Sequence, residues 1–115
     1  MLFNSFIILD YEGFNTNVIL PTSYKFGNNE YEVVDIIEGS FKNTKIKSIE
    51  FTKEVRIAAN AFENCKNLEL ILGQDKIVAI GMNAFKNCSS LFSVSLSHKD
   101  LKVVPQGAFA GCTSL

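Results

Sequence analysis

The sequence is short of the residues that most chemistry needs. Its 115 residues include no tryptophan, one histidine (His98), two prolines and three cysteines. With a lone histidine and no Cys-x-x-Cys pair, no metal-ligand spacing is present. No charge of one sign dominates: the net charge is −1 and no basic block occurs, so nothing points to nucleic acid or an anionic membrane surface. No run approaches the ~18 apolar residues of a membrane span, so no membrane insertion is expected of this segment. A glycine-rich phosphate loop, a nucleophile elbow and converging catalytic carboxylates are all missing. The start, Met1 to Leu9, is faintly like a targeting signal. It lacks a leading Lys or Arg, is broken by Asn4 and Ser5, and runs into Asp10-Tyr11-Glu12, so it reads as structural.

What is present is a folded, repetitive chain. Apolar residues make up 47% and charged residues 20%, the balance of a packed domain and not of a disordered segment, and the length suits one domain. The stretch Ala84-Phe85-Lys86-Asn87-Cys88-Ser89-Ser90-Leu91 has an earlier copy from Ala61 to Leu68 and a later one from Ala108 to Leu115. The copies start 23 and 24 residues apart, a period that marks a stacked repeat. Each copy has an apolar residue four before the Ala (Ile57, Ile80, Val104), and the first two run on into Leu-x-x-Ile-x-Leu, at Leu68–Gly73 and Leu91–Leu96. A degenerate first rung carries Ile36, Ser40, Phe41 and Ile46–Phe51, with Thr44 near the cysteine place.

One such rung cannot bury its own apolar side chains, whereas stacked rungs place Ile on Ile and Phe on Phe. The alternation at the end of Leu-x-x-Ile-x-Leu predicts a short strand, with copies pairing side by side in a parallel sheet. The fold expected is therefore a solenoid of stacked repeats with a parallel β-sheet on one face and short strands, turns and helical turns on the other. Residues 1–30 lack the repeat. They read as short strands around Phe6–Leu9 and Val18–Leu20, a turn at Asp10–Gly13, and a hairpin of Tyr24–Phe26 and Glu30–Val33 about Gly27-Asn28-Asn29. That block is the natural N-terminal β-hairpin cap, leaving about four rungs in 31–115, the last incomplete.

The period places Cys65, Cys88 and Cys112 at one position in successive rungs. An odd count and parallel side chains favour free buried thiols over a disulfide between neighbours. A Cys–His98 nucleophile pair lacks any neighbour to activate it. Asn64 and Asn87, before the cysteines, are expected to point inward and bond the backbone of a neighbouring turn. Asn87-Cys88-Ser89 fits a glycosylation acceptor in form, but a turn packed against its neighbours is a poor one.

No catalytic residue, metal ligand or cofactor emerges, and no enzymatic activity is expected. The surface with a functional look is the outward strand face: Lys47, Ser48 and Glu50; Glu69, Leu70 and Leu72; Phe92, Ser93 and Ser95. Glu50 and Glu69 read as solvated sheet residues. Leu70, Leu72 and Phe92 form an apolar group facing solvent in this register, a common mark of a contact surface. A slip of one residue would instead turn Leu70 and Leu72 inward.

The residues Ile77 to Val94, together with Val18-Ile19-Leu20-Pro21 and Gly27 to Val33, resemble the BspA-like leucine-rich repeat described in surface antigens of host-associated bacteria and parasitic protozoa. The resemblance spans nearly the whole chain. Gly73, where the strand usually ends apolar, and the missing Pro after most strands depart from it. The resemblance implies a solenoid, display at a cell surface or outside the cell, and adhesion or protein–protein contact. The alternative is a structural spacer in a larger intracellular protein, placed in the cytoplasm in the absence of an upstream signal. The end at Thr113-Ser114-Leu115 leaves an open edge, where a continuing array or another molecule, a second copy included, is expected.

Overall fold

A computed structural model describes residues 5–8 and 16–115. The targeting-like start, the end of the first strand at Leu9 and the Asp10–Gly13 turn lie outside the described residues. Eight strands occur among the described residues: β1 (Ser5–Ile8), β2 (Asn17–Ile19), β3 (Ser23–Phe26), β4 (Asn29–Ile36), β5 (Ser48–Glu50), β6 (Val55–Ile57), β7 (Leu70–Leu72) and β8 (Ile77–Ile80). A 3-10 turn, Gln74–Lys76, joins β7 to β8.

The strands form two sheets. The first has the order β1-β4-β6-β8, with β3 added antiparallel on β4; the second has the order β2-β5-β7. Every pairing except β3–β4 is parallel. The residues before Ser40-Phe41, Ala61-Phe62 and Ala84-Phe85 thus build a sheet of their own, larger than the one from Leu-x-x-Ile-x-Leu. Val55-Arg56-Ile57 shows why: it alternates apolar, polar, apolar, burying Val55 and Ile57 and exposing Arg56. Arg56 pairs with Asp35 on the outer face, Nη2 to Oδ2 at 3.0 Å, and Lys53 pairs with Glu32.

The N-terminal block is tied into this stack. The hairpin turns on two residues, Gly27 and Asn28, with Phe26 opposite Asn29 and Gly27 at φ 65°. Its second strand, β4, continues into the first sheet, and β2 pairs with β5 in the second, Val18 opposite Ile49.

Each rung turns at two left-handed residues. The first column is Gly39, Asn60, Asn83, Gly107 and the second is Asn43, Asn64, Asn87, Gly111, with φ between 59° and 75°. Glycine and asparagine tolerate this conformation. The turns hand backbone bonds from rung to rung: Phe62 N–H to the Ala84 carbonyl at 2.7 Å and Asn64 N–H to the Lys86 carbonyl at 2.8 Å, repeated one rung up by Phe85 to Ala108 and Asn87 to Ala110. The expected inward asparagines are a correction. Asn87 Nδ2 donates to Asn64 Oδ1 at 2.9 Å, and Asn64 Nδ2 to Asn43 Oδ1 at 3.0 Å, an amide ladder along a partly exposed edge. The main chain already meets the turn's backbone needs, so the side chains are left to serve one another.

Inside, Phe41, Phe62, Phe85 and Phe109 stack face to face, with centroids 4.9, 5.0 and 5.4 Å apart. Ile36 and Ile57 from one sheet and Ile49 and Ile71 from the other close over this column. Burying one such Phe side chain stabilises by roughly 1.5–3 kcal/mol. Ala61 and Ala84 are fully buried beside it; in the first rung Ser40 takes that place and bonds its hydroxyl to the Ile37 carbonyl at 2.7 Å.

Two expected features of the later rungs differ. Leu91–Leu96 keeps the inside–outside alternation but is not a strand, and the second sheet ends at β7. The Ser95 N–H is taken by Gln74 Oε1 at 2.6 Å, and the neighbouring contact, Phe92 N–H to the Glu69 carbonyl, is stretched to 3.5 Å. Val104, expected in column with Ile36, Ile57 and Ile80, is 53% exposed, because its segment is not paired to β8.

Candidate interaction face

The second sheet positions the candidate residues. In β5, Ile49 is buried between half-exposed Ser48 and Glu50; in β7, Ile71 is buried between Leu70 and the exposed Leu72. Ser48 lies opposite Leu70 and Glu50 opposite Leu72. The outward register is thus the one adopted. Leu70 is half-buried, Leu72 is 42% exposed and Phe92 is 58% exposed. Ser93 and Ser95 are exposed on the extended segment that follows, whose Val94 packs against the core.

The sequence reading missed Ile19. It stands opposite Glu50 and is 66% exposed, which adds an apolar side chain to the column of Glu50 and Leu72. The signal was the apolar run Val18-Ile19-Leu20, whose middle side chain turns outward once that stretch is placed as a strand of the stack. Beside it, the Ser48 hydroxyl donates to Asn17 Oδ1 at 2.9 Å, so this polar group is already engaged within the sheet. The face is therefore a mixed one, with Ile19, Leu72 and Phe92 set among Glu50, Ser93 and Ser95.

The cysteines do not join any such face. All three are free and buried, and each thiol donates to a carbonyl of the preceding rung: Cys65 to Phe41 at 3.0 Å, Cys88 to Phe62 at 3.2 Å and Cys112 to Phe85 at 3.1 Å. The Cys65 thiol and burial push the Cys88 thiol up, and burial pushes Cys112 up. His98 bonds Glu54 and the Asp100 amide, not a cysteine. Among the described residues no cluster of three or more His, Cys, Asp or Glu side chains converges as a metal would require. No helix among them is long and apolar enough to cross a membrane.

Parallel strands recurring once per turn, with a like-on-like interior column, define a leucine-rich repeat solenoid. The chain belongs to the BspA type leucine rich repeat family, whose model matches residues 16–115 in six copies. Among solved structures it is similar to a leucine-rich repeat protein from Bacteroides capillosus ATCC 29799, at 26% identity and a TM-score of 0.70, covering 76% of this chain and 67% of that one. It is also similar to a leucine rich cell surface protein from Faecalibacterium prausnitzii A2-165, at 25% identity and a TM-score of 0.75. That match covers 95% of this chain but 36% of the other, so this chain spans about a third of that protein's length. No curated protein matches.

Proposed function

We propose that this repeat module is a non-catalytic binding element, presenting the outer face of its second sheet to a protein partner at a cell surface, in adhesion or a related contact. The observation that carries the reading is the exposure of Ile19 and Leu72 on the second sheet, and of Phe92 on the extended segment that follows it, over a fully buried Ile49 and Ile71. Large side chains left in water on an ordered face are the usual anchors of a contact. The similarity to a leucine rich cell surface protein supports the placement.

The test is binding of fluorescently labelled protein to intact cultured animal cells, with and without prior proteinase treatment. Saturable binding that proteinase removes, and that Leu72→Ser with Phe92→Ser weakens at least about tenfold at unchanged thermal stability, is the expected result. No saturable binding, or full binding by the double variant, refutes it. The spacer reading predicts the former. The nucleophilic reading is addressed separately: the buried thiols should resist iodoacetamide in native protein and react readily in denaturant, and rapid native labelling of Cys65 or Cys88 would revive it.

A further inference from the structure

His98 occupies a corner that the binding reading does not use. Its side chain is 8% exposed. Nδ1 accepts the backbone N–H of Asp100 at 3.0 Å, so in this arrangement that nitrogen carries no proton. The ring proton then sits on Nε2, which donates to Glu54 Oε2 at 2.7 Å, a residue 44 positions earlier on the loop before β6. The Asp100 carboxylate waits close by, its Oδ2 3.9 Å from the same Nδ1. Asp75 and Lys76 pair with each other at 3.0 Å.

A neutral imidazole offers one donor and one acceptor; a charged one offers two donors. Protonation therefore removes the acceptor that the Asp100 N–H uses. It also creates an Nδ1–H facing a carboxylate already in place. Imidazole is the side chain whose charge ordinarily changes between about pH 5 and 8. The loop itself is closed by the Leu101 N–H on the His98 carbonyl at 3.1 Å. The segments on either side of it, 91–96 and 101–104, are not held in strand ladders, so a local rearrangement breaks no sheet.

We propose that His98 is a proton-operated latch: on mild acidification Nδ1 releases the Asp100 amide and takes the Asp100 carboxylate, resetting loop 97–101 while Nε2 keeps Glu54. The latch stands independently of any partner.

The experiment is an NMR titration of the ¹⁵N-labelled protein from pH 7.5 to 5.0, following the Asp100 amide and the His98 Cε1 proton. The expected result is one shared midpoint for both signals. Protection of the Asp100 amide, corrected for the pH dependence of intrinsic exchange, should fall about three- to tenfold, the range for losing one hydrogen bond. Asp100→Asn should lower the midpoint of the ring, because it removes the carboxylate that receives the proton-bearing Nδ1. His98→Gln should abolish the pH response of the Asp100 amide. An Asp100 amide that keeps its shift and protection while the ring titrates overturns the proposal, as does a ring that stays neutral down to pH 5.0. Should His98→Gln not fold, the wild-type titration and Asp100→Asn decide the matter.

Discussion

The ring of Phe85 lies 5.0 Å from that of Phe62, with the two planes 2° apart, and both side chains are fully buried. Each ring is wall and floor for the next, so removing one leaves a void between rungs that a rigid stack cannot close. Phe85→Ala should cost about 3–5 kcal/mol in urea unfolding at equilibrium. Phe109, only partly buried at the far end of the column, should cost clearly less on the same change. Equal losses at the two positions would contradict the stacked interior.

Asn64 serves two purposes that substitution can separate. Its φ of 62° is a backbone requirement, and its amide bonds both Asn43 and Asn87. Asn64→Gly keeps the first and loses the second; Asn64→Ala loses both. The expected order of thermal stability is wild type, then Gly, then Ala, with Ala lower than Gly by about 1–2 kcal/mol for a Cβ in the left-handed region. Gly and Ala variants of equal stability would show that the turn has left that region.

Gly73 ends β7 at φ 69°, and a Cβ there would lie 1.9 Å from the Phe51 carbonyl oxygen. Backbone does not move aside cheaply, so Gly73→Ala combines a conformational penalty with a collision. Gly27 supplies the control: its φ is 65°, but nothing lies within 4 Å of an added Cβ. Gly27→Ala should cost about 1–2 kcal/mol, and Gly73→Ala at least twice as much, by paired urea melts.

Glu63 accepts from Asn60 Nδ2 at 2.7 Å and pairs with Lys42 at 3.4 Å. The Asn60 amide first, and Lys42 and Lys86 after it, hold its carboxyl below the usual carboxylate value. A carboxyl whose folded pKa is depressed stabilises the fold above its unfolded pKa, and that contribution fades as pH falls through the folded value. Glu63→Gln should therefore differ most from wild type near neutral pH, and the two melting curves should converge under acid. A difference that persists unchanged to acid pH would assign the effect to packing.

Much of this fold was legible because a stack copies its own chemistry. The period located the phenylalanine column and the buried thiols before any geometry was known, since like positions must meet like when rungs repeat. The alternation Leu70-Ile71-Leu72 also left Leu72 outward, though it could not exclude the slipped register that would have reversed it. What escaped reading depends on contacts that the repeat does not encode. Gln74 takes the Ser95 amide, and 91–96 is not a strand. His98 reaches Glu54 across an intervening rung. Asn64 and Asn87 were noticed as a pair, yet their left-handed turns were invisible, because asparagine suits both an inward hydrogen bond and a positive φ.

The rung-to-rung exchange, in which Phe62 gives its amide to Ala84 and Phe85 gives its own to Ala108, bears on how such a chain can change over generations. A duplication or deletion spanning one whole coil would leave every surviving donor opposite an equivalent acceptor. Gene copies differing by whole coils should therefore fold alike, while the breadth of the wall they present lengthens or shortens in single steps.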